Sequence, residues 1–366
     1  MLVNYLYLFI AATVASAAYV SKDAPKVITL PLEHQSGVIQ KRDGSAFSND
    51  LDAYGTTIFT TIYVGSNEDR VKLQIDTGSW LTHIIDTQGI CDHCDGNGRY
   101  NSSASTTVQR LGKPYASYFR PGDYYKGESV IDIVNFGGVK FPFNFDDSTN
   151  SSGSINGLLG LARPPTNENQ SFVFQAKKAG VIDKAAFSFI TSNLDDSEGS
   201  LILGGYDAAK IDGDIHWTSI KHSNIHAFIN SVKINGTTIP VGRNATVDTG
   251  YSIGSLPQDV YEKFVAELPK DPNNPDPLKS LALDCSLFEG RTFTYTLNGV
   301  DYEFPLKALS TPKAKGKHCR FVVHPGNTPQ LGAVLFRYLF VAVDWENELI
   351  GFASIKNTTE TDIRAF

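Results

Sequence analysis

Apolar and polar positions alternate in short runs along most of this chain. TTIFTTIYVG (56–65), RVKLQID (70–76), SVIDIVNFGGVKF (129–141), FSFITS (187–192), SLILGG (200–205) and LFVAVDWENELIGFA (339–353) are rich in β-branched and aromatic residues and bounded by Gly, Asn or Asp. That pattern predicts strands. Asn235-Gly236 in VKINGTTI predicts a tight hairpin turn. Helical periodicity is confined to QSFVFQAKKAG, stopped by Gly180, and PQDVYEKFVAEL, opened by Pro257. PKDPNNPDPLK (269–279) reads as a surface loop. The fold class expected is therefore all-β dominated.

The first residues follow a different rule. Tyr5 to Ala18, YLYLFIAATVASAA, is apolar, too short to span a bilayer and closed by small residues. It reads as a secretory signal, residues 1–17. A polar segment follows and ends in Lys41-Arg42, which reads as a processing site, so residues 18–42 are expected to be a propeptide and the mature chain to begin at Asp43. KNTTETDIRAF at the C-terminus has no hydrophobic tail, so no lipid anchor is expected.

Composition narrows the function classes. The 366 residues are 41% hydrophobic and only 19% charged, enough apolar mass for a large core of about two domains. The net charge of −7, without a basic run, argues against nucleic acid as a partner. Four cysteines, Cys91, Cys94, Cys285 and Cys319, allow three pairings. In an oxidising compartment two local disulfides are expected, Cys91–Cys94 and Cys285–Cys319. His93 inside the Cys-x-x-Cys lacks the two further ligands a zinc site needs, so no metal or other cofactor is expected. Sequons at Asn101, Asn150, Asn169, Asn235, Asn244 and Asn357 agree with a secretory route.

The chemistry lies in an internal repeat. LQIDTGS (73–79) and ATVDTG (245–250) each place an apolar residue before Asp-Thr-Gly. Each is followed by a Leu-Gly step, in NGLLGLA (156–162) and QLGAVLF (330–336), and from Asp76 to Gly160 and from Asp248 to Gly332 the separation is 84 residues in both. The repeat defines two lobes, residues 43–192 with Asp76 and 193–366 with Asp248. Two carboxylates within hydrogen-bonding reach cannot both ionise cheaply, so the pair holds one proton. The ionised member can take a proton from water while the protonated member donates to an amide carbonyl. Gly78 and Gly250 permit tight turns, and the Thr77 and Thr249 hydroxyls can fix them.

With both Asp-Thr-Gly elements, NGLLGLA, GSLILGGYDAAKIDGDIHW and LFVAVDWENELIGFA in order, the chain resembles the pepsin-family aspartic proteases, closest to the secreted fungal, candidapepsin-like branch, from about residue 54 to 354. The resemblance implies a bilobal β fold with a cleft between related lobes and an endopeptidase of acidic pH optimum acting on an extended peptide or protein. It implies a monomer with Asp76 and Asp248 as the dyad. It further implies interlocking Thr77 and Thr249, Ser79 as a partner of Asp76, Ser252 as a substrate-backbone contact, and Cys285–Cys319 as the C-lobe disulfide.

The pattern departs from the family in four places. Tyr251 stands where a small hydroxyl residue usually supports the second acid, which is expected to make Asp248 less acidic. His83 replaces a Trp that bonds a tyrosine on the mobile flap; in PYASYFRPGDYYKGES (114–129), Tyr118 aligns best with that tyrosine, with Tyr115, Tyr124 and Tyr125 as rivals. Ala333 follows the second Leu-Gly, where an Asp is common. These departures keep a second reading in view, a pepsin fold retained for binding or inhibition. A third comes from GYSIG (250–254), which satisfies the Gly-x-Ser-x-Gly of serine hydrolases with Ser252 as nucleophile, Asp284 or Asp301 and His318 or His324 following in order.

Overall fold

The computed structural model describes residues 26–35, 57–92, 98–119, 123–152, 157–166, 168–191, 199–220, 225–270, 282–312 and 318–366. The signal segment, Lys41-Arg42 and Cys94 lie outside them, as does the Asn169 side chain.

The predicted strands form. In the first half, β1 (Ile28–Gln35), β2 (Thr57–Val64), β3 (Asp69–Asp76) and β4 (His83–Asp92) are followed by a hairpin of β5 (Gln109–Tyr118) and β6 (Tyr124–Phe136), then β7 (Val139–Ser152) and β8 (Leu158–Gly160). They belong to one 13-stranded sheet, in which β1-β2-β3-β8-β4-β7-β6-β5 form one end. The other end is built from β9 (Ala186–Ile190), β10 (Gly199–Leu203), the strands Leu339–Asp344 and Leu349–Ile355, and β12 (Ile211–Ser219); a short β11 (Gly205–Asp207) pairs separately with Ile363–Ala365. The sheet thus takes strands from both repeat halves and joins them. In the second half β13 (His226–Ile234) and β14 (Thr237–Asp248) anchor a seven-stranded sheet.

Local signals hold where they were specific. Asn235 and Gly236 take φ of 50° and 80°, the left-handed pair a two-residue hairpin needs. Helix α1 (Phe172–Lys178) ends before Gly180, whose φ is +69°. Helix α2 (Gln258–Ala266) starts after Pro257 and buries Val260, Tyr261, Phe264 and Val265 on one face.

Within the segment expected to be a propeptide, residues 28–35 form a strand of the core sheet. Residues 28–32, Ile-Thr-Leu-Pro-Leu, alternate, and that alternation buries Ile28, Leu30 and Leu32 in the core. β1 is paired on both sides, with β10 through Ile28↔Leu203 and Leu30↔Leu201, and with β2 through Glu33↔Phe59. Reading residues 18–42 as merely polar misses this strand, because its alternation is short and broken by Pro31.

The 84-residue spacing is a pairing register. β3 runs parallel to β8 with Ile75 opposite Leu159 and Asp76 opposite Gly160; β14 runs parallel to the strand Gln330–Gly332 with Val247 opposite Leu331 and Asp248 opposite Gly332. Parallel strands covered on both faces need apolar residues throughout, which explains Ile75 and Val247. The glycines are there for space: a Cβ on Gly160 would lie 2.4 Å from the Leu81 carbonyl oxygen, and one on Gly332 only 1.6 Å from that of Ile253. Gly332→Ala should therefore lower the unfolding free energy by at least about 2 kcal/mol in urea denaturation. Gly254→Ala, whose added Cβ meets nothing closer than 3.5 Å, is the control and should change little.

Candidate active site

Each acid ends an interior strand at the same point of the repeat, and the two turns face each other. The threonines lock them. Thr77 N–H donates to Thr249 Oγ1 and Thr249 N–H to Thr77 Oγ1, both at 3.0 Å. In turn Thr77 Oγ1 donates to the Val247 carbonyl and Thr249 Oγ1 to that of Ile75, both at 2.8 Å. Four buried hydrogen bonds thus cross between the halves within one residue of each acid. Gln74, which the sequence did not single out, adds a fifth crossing bond from Nε2 to the Gly250 carbonyl at 3.2 Å.

The glycines bring the acids together. A Cβ on Gly78 would sit 2.9 Å from Asp248 Oδ1, and one on Gly250 would sit 2.6 Å from Asp76 Oδ1. Each carboxyl therefore lies over the opposite glycine.

Their surroundings differ. Asp76 accepts from Ser79 Oγ at 2.6 Å and from Gly78 N–H at 2.7 Å. Asp248 accepts from Gly250 N–H at 2.9 Å. Burial raises both acids above the usual carboxylate range. For Asp76 the Ser79 and Gly78 hydrogen bonds oppose burial. For Asp248 burial is reinforced by the negative charge of Asp76, with the Gly250 and Tyr251 backbone N–H groups opposing it. The Ser79 and Gly78 hydrogen bonds thus favour the charge on Asp76, and the proton on Asp248. Such a site can hold a nucleophilic water and polarise a carbonyl at once.

The other expected residues are placed as follows. Tyr251 is half-buried against the core, and its carbonyl accepts from Ala333 N–H at 2.8 Å. Ser252 lies in the same turn and leads into the strand Gly254–Leu256; a nucleophile elbow would lead into a helix there. Tyr118 does not face the body of its lobe. It is 68% exposed, with its ring beside Tyr124 and beneath the Lys126 ammonium. Strand alternation puts Tyr115 and Phe119 on the other side, and those rings meet the fully buried His83. Phe119, itself 40% exposed, meets His83 edge-on from the end of the hairpin.

Cys285 and Cys319 are bonded across 34 residues. Cys91 is disulfide-bonded too; its expected partner Cys94 is outside the described residues. Asn150, Asn235, Asn244 and Asn357 are exposed, whereas Asn101 is half-buried, with Oδ1 accepting from Ser103 Oγ and Ala104 N–H. Among the described residues no three His, Cys, Asp or Glu side chains could hold a metal ion together.

Comparison with known proteins places this geometry. The family model described as eukaryotic aspartyl protease matches residues 57–355. Secreted aspartic protease 8 of Candida albicans is 28% identical, over 84% of this chain and 78% of its own length. Candidapepsin of Candida tropicalis is 25% identical over 90% and 86%, and candidapepsin-1 of Candida albicans 26% identical over 100% of both.

Two outcomes follow for the folded protein. Thr249→Val leaves Thr77 N–H and the Ile75 carbonyl buried without partners, and should cost on the order of 2–4 kcal/mol in denaturant unfolding. The raised carboxyls set the second. Burial lifts Asp146 to about 6 and, together with Asp86, lifts Asp147 to about 7, alongside the raised Asp76 and Asp248. Between pH 3.8 and these values the unfolded chain ionises first, so stability falls as pH rises. His83, pushed down to about 3 by burial, acts oppositely below pH 6.5, but it is one group against four. The unfolding free energy should therefore decline from about pH 4 to about pH 8.

Proposed function

The chain belongs to the eukaryotic aspartyl protease family, and from that premise we propose that Asp76 and Asp248 are the acids of its active site. The protein is an aspartic endopeptidase acting on peptide or protein substrates. Its relatives are named secreted proteases, and the chain carries a signal-like N-terminus, so it is secreted. Among the described residues no helix is long and apolar enough to cross a membrane. The observation that carries the assignment is the mutual approach of two Asp-Thr-Gly turns, each carboxyl seated over the other's glycine.

Hydrolysis follows from the asymmetry of the pair. Ionised Asp76 takes a proton from a water whose oxygen attacks the scissile carbonyl carbon. Asp248 gives its proton to the carbonyl oxygen, producing a neutral gem-diol. Asp76 then protonates the leaving nitrogen as the C–N bond breaks, and Asp248 recovers a proton from a gem-diol hydroxyl. The pair returns to its starting state without a covalent intermediate. Ser79 keeps Asp76 the more acidic member. Tyr251, with no short hydroxyl to offer at its position, leaves Asp248 the higher one.

Maturation after Lys41-Arg42 is part of the same reading. Cleavage there separates β1 from β2 in sequence.

Asp76→Asn and Asp248→Asn should each lower kcat by at least about a thousand-fold on a peptide substrate, with folding intact. The parent rate should be bell-shaped in pH with an acidic maximum. Residual activity near the parent level in either variant contradicts the assignment. Tyr251→Thr restores a hydroxyl near Asp248 and should move the alkaline limb to lower pH; an unmoved limb would show that Tyr251 does not set it.

A further inference from the structure

Most large rings left on the outer faces of this protein have company. Tyr118 lies beside Tyr124 and beneath Lys126, and Trp217 meets Phe366 edge-on at 5.8 Å. Phe228 differs. It is 38% exposed, and among the described residues no ring or cation is set against it. It stands on β13 directly across from Asn244 of β14. The next pair along, Ala227 and Ala245, is fully buried, so Phe228 and Asn244 share the outer face of the two strands. Side chains opposed in this way have Cβ atoms about 4.5–5.5 Å apart.

The ring is held in place from the neighbouring strand. Phe228 N–H donates to Asn298 Oδ1 at 3.0 Å, and the Phe228 carbonyl accepts from Asn298 N–H at 2.8 Å. Asn298 itself sits in the tight turn between the strands Thr292–Leu297 and Val300–Pro305, with φ of 50°. Asn244, exposed, opens the sequon Asn244-Ala245-Thr246, and Thr246 follows on the same outer face opposite His226. The other sequons are placed differently. Asn101 Oδ1 is engaged by Ser103 and Ala104, Asn150 Oδ1 accepts from the Tyr124 hydroxyl at 3.1 Å and lies across from Lys126, and Asn235 occupies a turn.

We propose that Asn244 carries an N-linked glycan whose first N-acetylglucosamine packs on the Phe228 ring. The inference rests on secretion of the chain and is independent of its activity as a peptidase. In the transfer a bond forms between Asn244 Nδ2 and the anomeric carbon of the sugar. That carbon's bond to the diphosphate of a lipid-linked oligosaccharide donor breaks, and Nδ2 gives up one proton. The hydrocarbon face of the pyranose presents C–H groups, whose slight positive charge suits the negative face of a phenyl ring. Their contact takes apolar area of both partners out of water, while the sugar hydroxyls remain at the rim in solvent. A sugar bonded to β14 and seated on a ring of β13 ties the two strands together from outside.

The full chain, secreted from a eukaryotic host, provides the test. Mass spectrometry of its glycopeptides should find Asn244 modified. After trimming to a single N-acetylglucosamine, proton resonances of that sugar should be shifted upfield by the Phe228 ring. Amides of β13 and β14 should exchange about three- to ten-fold more slowly than in Asn244→Gln, which cannot take the glycan, while β3 serves as the unchanged control. In a Phe228→Thr background the same comparison should give no difference. If Phe228→Thr does not fold, Phe228→Leu should keep apolar bulk beneath the sugar yet abolish the upfield shift. An unmodified Asn244, sugar resonances at their solvent positions, or a protective effect of equal size without the Phe228 ring overturns the proposal.

Discussion

Two acids pressed against each other, Asp76 buried and Asp248 half-buried, are the constraint on which this molecule is arranged. A carboxylate taken out of water is costly, and a second one beside it is costlier still unless the pair keeps a proton. The protein holds them there with an apolar strand behind each acid, a glycine where the other acid must fit, and a threonine that bonds across to the opposite backbone. None of these works alone. Without the glycines the carboxyls could not approach; without the threonines the four buried hydrogen bonds between the two turns would be lost.

That constraint also explains why so much was legible in the sequence. Asp-Thr-Gly twice, with Leu-Gly at one fixed distance from each, is the imprint of a parallel register in which Asp76 opposes Gly160 and Asp248 opposes Gly332. Asn235-Gly236 and Gly180 were readable because their backbone conformations exclude most other residues. What escaped was set by contacts between distant segments. The pairing of His83 with Asp146 joins positions with no local relation, and Gln74 looks like any polar residue in a strand. In a hairpin with tyrosines on both sides, family alignment points to Tyr118, whereas the rings that meet His83 are Tyr115, Tyr125 and Phe119. β1 was hidden by its brevity, although its three apolar residues are fully committed to the core.

The asymmetry of the pair is the other physical result. The halves repeat each other in backbone, yet Ser79 supports Asp76 while Tyr251 occupies the matching neighbourhood of Asp248. A symmetric site would leave the proton undecided; here the hydrogen bonds to Asp76 favour its carrying the charge. Asp146 and Asp147, buried on β7, follow the same logic, since neutral carboxyls tolerate burial that carboxylates do not. Acid conditions therefore favour the fold.

The central claim is that Asp76 and Asp248 hold one proton between them, carried by Asp248. Neutron diffraction from deuterated crystals grown at acidic pH reads this directly. The account predicts a single deuteron between the two carboxyls, bonded to an Asp248 oxygen. A deuteron on each acid, none on either, or one bonded to Asp76 would contradict it.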